Sequence, residues 1–133
     1  MNIKIDTALL DSLTVQAKAS SRLWTNHDLR NSDADTSQRI LIAVEPNSKI
    51  PIHRHRKTSQ TIVVVRGSAV GEFYDEYDRI CEDTYVISPF GPIYGLNIPI
   101  GKWHSIRALE SGTIILVMQD GAYEMIQECD ILK

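Results

Sequence analysis

The chain has 133 residues, a formal net charge of −3 and 43% hydrophobic content, which suits one domain able to bury roughly two thirds of its unfolded surface. Its fourteen basic residues are scattered, so nothing forms the basic stripe that phosphate backbones require, and nucleic-acid binding is not expected. No stretch approaches the roughly eighteen apolar residues of a membrane span, and Lys4, Asp6 and Asp11 interrupt any apolar leader, so the expectation is a cytoplasmic protein with no membrane partner.

Residues 1–37 read as an N-terminal helix followed by an arm. Asp6 can cap a helix whose Leu10, Leu13 and Ala17 share one side and which ends near Ser20 and Ser21. Its expected role is a lid or dimer brace rather than a core. From Gln38 the pattern becomes β, with QRILIAVE, QTIVVVRG, SAVGEFY, RICEDTYVIS, YGLNIPI, WHSIRALE and TIILVMQD separated by the turn clusters EPNS, YDEYD, SPFGP and ESG. Strands at this spacing with no helical pattern between them predict an antiparallel sandwich or barrel over 38–120, and residues 121–133 read as a C-terminal tail. Within residues 60–66, Gln60, Ile62 and Val64 face one way and Thr61, Val63 and Val65 the other. Both surfaces are apolar in the middle, so the outward one calls for a cover, either the N-terminal segment or a second subunit. A homodimer is the expectation.

Chemistry concentrates in two segments. In PIHRHRKTSQTIVVVRG, His53 and His55 stand at i and i+2, which on an extended strand puts both imidazoles on one face, in reach of one divalent cation at about 2.0–2.1 Å. Some fifty residues later comes IPIGKWHSIRAL, where Pro99 and Gly101 bracket a tight turn and His104, Ile106 and Ala108 share a strand face. His104 therefore points inward as a third ligand, while Trp103 points to the opposite face and reads as packing. Cys81 and Cys129 lack CxxC spacing and lie far apart, so neither a disulfide scaffold nor thiolate ligation is expected.

These residues resemble the two cupin motifs, an HxH followed by Glu and then Gly, and a PxGxxH. His53, Arg54, His55 and Gly67 match the first, with Gln60 in the Glu position, and Pro99, Gly101 and His104 match the second. With ALLDSLTVQAKAS, RLWTNHDLR, QRILIAVEPNSKIPIHRH, KTSQTIVVVRG, YGLNIPIGKWH and DGAYE, the chain looks like the cupin-fold metalloproteins of the WbuC family over nearly its whole length. That family typically has a carboxylate where Gln60 stands and often a His where Arg30 stands. The resemblance implies an all-β cupin double-stranded β-helix, a jelly-roll barrel with a short N-terminal α-helix.

It also implies one divalent transition metal ion, Zn, Ni, Fe or Mn, held by His53, His55 and His104 with Gln60 as a further candidate. Three neutral imidazoles and a Gln leave the ion's double charge uncancelled, which favours an anionic co-ligand. Arg22, Asn26, His27 and Tyr94 are the candidate substrate contacts at the barrel mouth. The family is linked to bacterial surface polysaccharide (O-antigen) gene clusters, so the expected ligand is a small anionic or sugar-like molecule, a sugar or nucleotide-sugar, with metal-assisted isomerisation or epimerisation as its chemistry. An Fe(II)-dependent dioxygenase and a non-catalytic sugar-binding sensor are the alternatives.

Overall fold

The computed structural model describes residues 3–77 and 79–132. One helix, α1 (Thr7–Ala19), precedes eight strands: β1 (Trp24–Asp28), β2 (Ser37–Val44), β3 (Gln60–Arg66), β4 (Ala69–Tyr74), β5 (Cys81–Ile87), β6 (Gly95–Ile98), β7 (Trp103–Ala108) and β8 (Thr113–Asp120). The strands form two antiparallel sheets, ordered β1-β2-β8-β3-β6 and β5-β4-β7. The seven β segments expected from alternation all form. The arm adds β1, whose mixed sequence WTNHD carries no strict alternation and which pairs along β2 from Trp24 opposite Val44 to Asp28 opposite Ile40.

Period-2 alternation on the large sheet separates two cores. Inward residues Val44, Ile62, Val64, Ile98, Ile115 and Val117 meet Phe73, Ile87 and Ile106 of the small sheet, forming the core of the jelly roll. The outward residues Leu41, Ala43 and Ile114 pack against Leu10, Leu13 and Ala17 of α1. Asp6 caps the helix as expected, its carboxylate accepting from the Leu9 N–H at 3.0 Å, and Ser20 ends it in an extended conformation. The helix is no lid, and the expectation that it contributes no core is corrected: Leu10, Leu13 and Ala17 build one with the sheet. The helix lies on the outer face of the sheet, away from the barrel interior, because its apolar stripe matches the apolar outward residues of β2 and β8. It also supplies part of the cover that β3 calls for: Val65 packs against this second core, and the Arg66 guanidinium donates to Asp11 at 2.7 Å and to the Thr14 hydroxyl at 3.0 Å.

Gly67 turns β3 into β4 with φ +83°, a conformation that glycine adopts freely, and a Cβ there would lie 2.4 Å from the Thr113 hydroxyl oxygen. β3 and β8 stay in close contact at that end for this reason.

Leu13 is 2% exposed. Leu13→Ala is expected to lower unfolding free energy by about 2–5 kcal/mol, the range for a buried leucine that leaves a cavity. Urea denaturation measures this, and a loss below about 1 kcal/mol would show that the helix only rests on the sheet.

Candidate metal centre

The segment 51–59 between β2 and β3 is irregular rather than a regular strand, yet its backbone is held tightly. His53 and His104 form an antiparallel bridge, exchanging hydrogen bonds of 2.9 Å and 2.8 Å between their main chains. Directly opposed residues project side chains to the same face. The two rings accordingly stand 4.4 Å apart between centroids, with His55 at 5.1 Å from His53 and 5.7 Å from His104. The Gly101 N–H donates to the His55 carbonyl at 2.8 Å, tying the turn of the second segment to the first. Gly101 has φ +76°, and the Lys102 N–H closes the turn on the Pro99 carbonyl at 3.3 Å.

The three expected histidines are thus brought together, each offering a ring nitrogen within 4.8 Å of the others. Two have their tautomer set by backbone. The Nδ1–H of His53 donates to the Pro51 carbonyl at 2.9 Å and that of His104 to the Lys102 carbonyl at 2.8 Å. Their Nε2 atoms are then lone-pair acceptors aimed at the common space. The Nε2 of His104 is buried without a hydrogen-bond partner, which in an apolar interior costs about 1–3 kcal/mol. An inward cluster of neutral imidazoles with an unsatisfied buried lone pair fits a divalent cation, and the donor set of nitrogens suits zinc, nickel or iron.

Gln60 opens β3 at the edge of the cluster, its amide nitrogen 3.3 Å from His55 Nε2. The same nitrogen donates to Gln119 Oε1 at 3.1 Å, and Gln119 in turn donates to the Thr58 hydroxyl at 2.6 Å. Gln119 escaped the reading of the sequence. It had a signal: in β8 the inward positions run Ile115, Val117, Gln119, so a polar residue occupies an interior register position, directly opposite Gln60 on one side and Gln38 on the other.

A cavity of about 910 Å3 opens beside the histidines. Its floor is the inward face of β2 and β8, with Ile40, Ile42 and Val117, and Trp24 and Asn26 of β1 form a wall. Of the substrate candidates, Asn26 lines this space. Arg22 is exposed and does not line it; its guanidinium lies 3.7 Å from the Trp24 ring centroid. His27 pairs with Leu41 and so shares the outward face of the sheet. Tyr94 is 59% exposed and its ring lies against Gly91, away from the cavity. β1 alternates, so adjacent Asn26 and His27 could not both face inward.

Residues 128–132 do more than trail from the barrel. The Leu132 N–H donates to the Ile52 carbonyl at 2.8 Å and the Arg54 N–H to the Asp130 carbonyl at 3.1 Å, so the tail pairs with the HxH segment from the side opposite His104. The Asp130 carboxylate, held below its ordinary pKa by Arg56 and Arg54 despite its burial, gathers both guanidinium groups. Arg54 also lies over the Trp103 ring at 4.5 Å, and the indole N–H donates to Glu76 at 3.0 Å, so Trp103 packs outside the cluster as expected. Cys81 lies in β5 and Cys129 in the tail, both as free thiols.

Burial lowers the pKa of all three imidazoles, taking His55 down to about 4 and His104 to about 3, and repulsion from a protonated His53 adds to the lowering of these last two. The free imidazole value of about 6.5 applies in the unfolded chain. Between these values the unfolded chain binds more protons than the native one, so the metal-free protein loses stability as pH falls from about 6.5 towards 4 and 3. Thermal melts of metal-free protein at pH 7, 5.5 and 4 are expected to show a falling Tm. In His104→Gln the slope is expected to be shallower, and an unchanged slope would place the proton uptake elsewhere.

No helix among the described residues is long and apolar enough to cross a membrane. Several solved structures share the architecture. The capsular polysaccharide assembling protein CapF from Staphylococcus aureus superposes with a TM-score of 0.59 at 20% identity, over 80% of this chain and 28% of that one. Oxalate oxidase in complex with the substrate analogue glycolate gives 0.65 at 12% identity, over 82% of this chain and 56% of that one. A cupin 2 domain-containing protein from Halorhodospira halophila gives 0.60 at 20% identity, over 78% and 68%. The chain spans under a third of CapF and somewhat over half of oxalate oxidase. No curated protein matches it. The fold is the cupin jelly roll, and, with residues 5–86 matching its family description, the chain belongs to the family described as a domain of unknown function, DUF6016.

Proposed function

We propose that this chain is a metal-dependent cupin that binds a small sugar-like or anionic ligand in the cavity beside His53, His55 and His104. The observation that carries the reading is the convergence of three neutral imidazoles, one with an unpartnered buried Nε2, at the edge of a cavity large enough for a sugar. His53, His55 and His104 would hold the ion, with Gln60 beside them. A divalent ion there supplies Lewis acidity to a ligand oxygen.

The lining suits a polyoxygenated ligand. Asn26, Gln38, Thr58 and Gln119 offer neutral donors and acceptors, while Trp24 presents an aromatic wall of the kind on which a sugar ring can pack. The carboxylates of the lining, Glu124 and Asp130, are engaged by Lys57 at 3.0 Å and by Arg54 and Arg56. An anionic ligand therefore meets no uncompensated negative charge on approach. For the isomerisation or epimerisation that the WbuC likeness implies, Tyr123 and Glu124, which line the cavity, are the proton-transfer candidates. The description of CapF as a capsular polysaccharide assembling protein agrees with a role in surface polysaccharide biosynthesis. Oxygen activation would draw on the same three imidazoles, and oxygen uptake by iron-loaded protein distinguishes it.

Purified protein is expected to carry close to one divalent ion per chain, zinc or nickel after heterologous expression because affinity order governs capture. His53→Ala and His104→Ala are each expected to abolish this. Equal metal content in the wild type and both variants would sink the reading. Calorimetric titration of glucuronate into zinc-loaded protein tests the ligand class: binding is expected for the loaded form and not for the metal-free form.

A further inference from the structure

We infer that Gln119 is a positioning residue for the ion: with Gln60 it forms an amide pair around His55 whose hydrogen-bond polarity is completed by a cation at His55 Nε2. This rests on the metal reading above and adds to it how one imidazole and the Gln60 oxygen are oriented. His53 and His104 have their Nδ1–H groups fixed by backbone carbonyls. His55 does not. Both its nitrogens face amides, Nε2 lying 3.3 Å from the Gln60 amide nitrogen and Nδ1 3.5 Å from that of Gln119.

Counting donors shows why this matters. An amide nitrogen only donates and an amide oxygen only accepts, while a neutral imidazole has one of each. The Gln60 nitrogen donates to Gln119 Oε1 at 3.1 Å and also faces His55 Nε2, so Nε2 must accept. Gln119 Oε1 being the acceptor, its nitrogen faces Nδ1, so Nδ1 must accept as well. A neutral imidazole cannot accept at both nitrogens, so the pair in this orientation does not suit the ring.

The amide oxygen and nitrogen exchange places by a half-turn about χ3, with no other atom moving. Turning Gln119 alone sets its nitrogen against that of Gln60, so the two must turn together. In the turned pair the Gln119 oxygen accepts from His55 Nδ1–H and from the Thr58 hydroxyl, which stands 2.6 Å away. The Gln119 nitrogen then donates to the Gln60 oxygen, and that oxygen faces His55 Nε2. Two acceptors facing each other repel unless a positive group lies between them. The space beside His55 Nε2 is also where the ring nitrogens of His53 and His104 converge, within 4.8 Å of one another. A cation there, bound by His55 Nε2 and by the Gln60 oxygen, completes the set.

The paired glutamines are thus set by β-sheet register, Gln60 opposite Gln119, and their joint half-turn makes Gln60 a ligand through its oxygen. Outer partners of metal ligands typically carry 10–100-fold in affinity.

The experiment combines zinc competition against a chromophoric chelator with 15N NMR of the side-chain amides and imidazoles. Gln119→Met is expected to weaken zinc binding at least about tenfold, and Gln60→Met likewise. In the double variant the loss should be smaller than the product of the two single losses, because Gln119 acts through Gln60 and His55. In the wild type, zinc should shift the NH2 resonances of both Gln60 and Gln119 and place the His55 proton on Nδ1. Affinity of Gln119→Met within twofold of wild type, or multiplicative losses in the double variant, overturns the inference. If Gln119→Met fails to fold, the wild-type spectra decide. Imidazoles that respond to zinc while the Gln119 amide does not overturn this inference alone. Imidazoles that do not respond overturn the metal reading with it.

Discussion

The bridge between His53 and His104 is the constraint from which the site follows. Two main-chain hydrogen bonds join an irregular loop to the second residue of β7 and fix the two imidazoles on the same side of the backbone. Everything else at the centre is an adjustment around that pair. His55 joins them two residues on, its carbonyl held by the Gly101 N–H. The tail then pairs with the other side of His53 through Ile131, so the loop has backbone partners on both edges despite belonging to no strand. A loop bearing metal ligands is otherwise a poor platform, since its ordering entropy would be lost again at each binding event.

Burial at this centre has two opposing effects. It removes the imidazoles from water, which disfavours their protonated forms and keeps them neutral below the ordinary imidazole range. It also leaves His104 Nε2 without a hydrogen-bond partner. Neutral imidazoles with an unpaired buried lone pair are the arrangement expected of a centre organised before it binds a cation.

The fold was legible because alternation is a local signal. Seven runs of period 2 with turn clusters between them could be placed to within a residue or two, and the helix announced itself through Asp6 and the Leu10, Leu13, Ala17 stripe. The three histidines were legible because the i, i+2 spacing of His53 and His55 and the Pro-Gly turn before His104 mark them out, although the first two lie in a bridged loop rather than a strand. What the sequence did not disclose depends on contacts between distant residues. β1 forms because its backbone pairs with β2, a matter of sheet completion rather than of WTNHD itself. Parity alone, applied to β1, would have assigned Asn26 and His27 to opposite faces. Gln119 and Asp130 act on His55 and Arg54 from 64 and 76 residues away, and no spacing rule reaches that far.

The large sheet has a different consequence for how this protein can change. Along β2 the even-numbered residues Gln38, Ile40 and Ile42 line the cavity, while Leu41 and Ala43 anchor the helix. Along β8 the parity is inverted, with Val117 and Gln119 facing the cavity and Ile114 facing the helix. Neighbouring positions in the same strand thus answer to separate demands. The chain can exchange the chemistry of its cavity one residue at a time without disturbing the helix-facing core, and selection can act on recognition and on durability almost independently. A single-layered sheet with one solvated face would offer half as many positions for such divergence, and a cavity built on loops would lack the rigid backing that the helix provides.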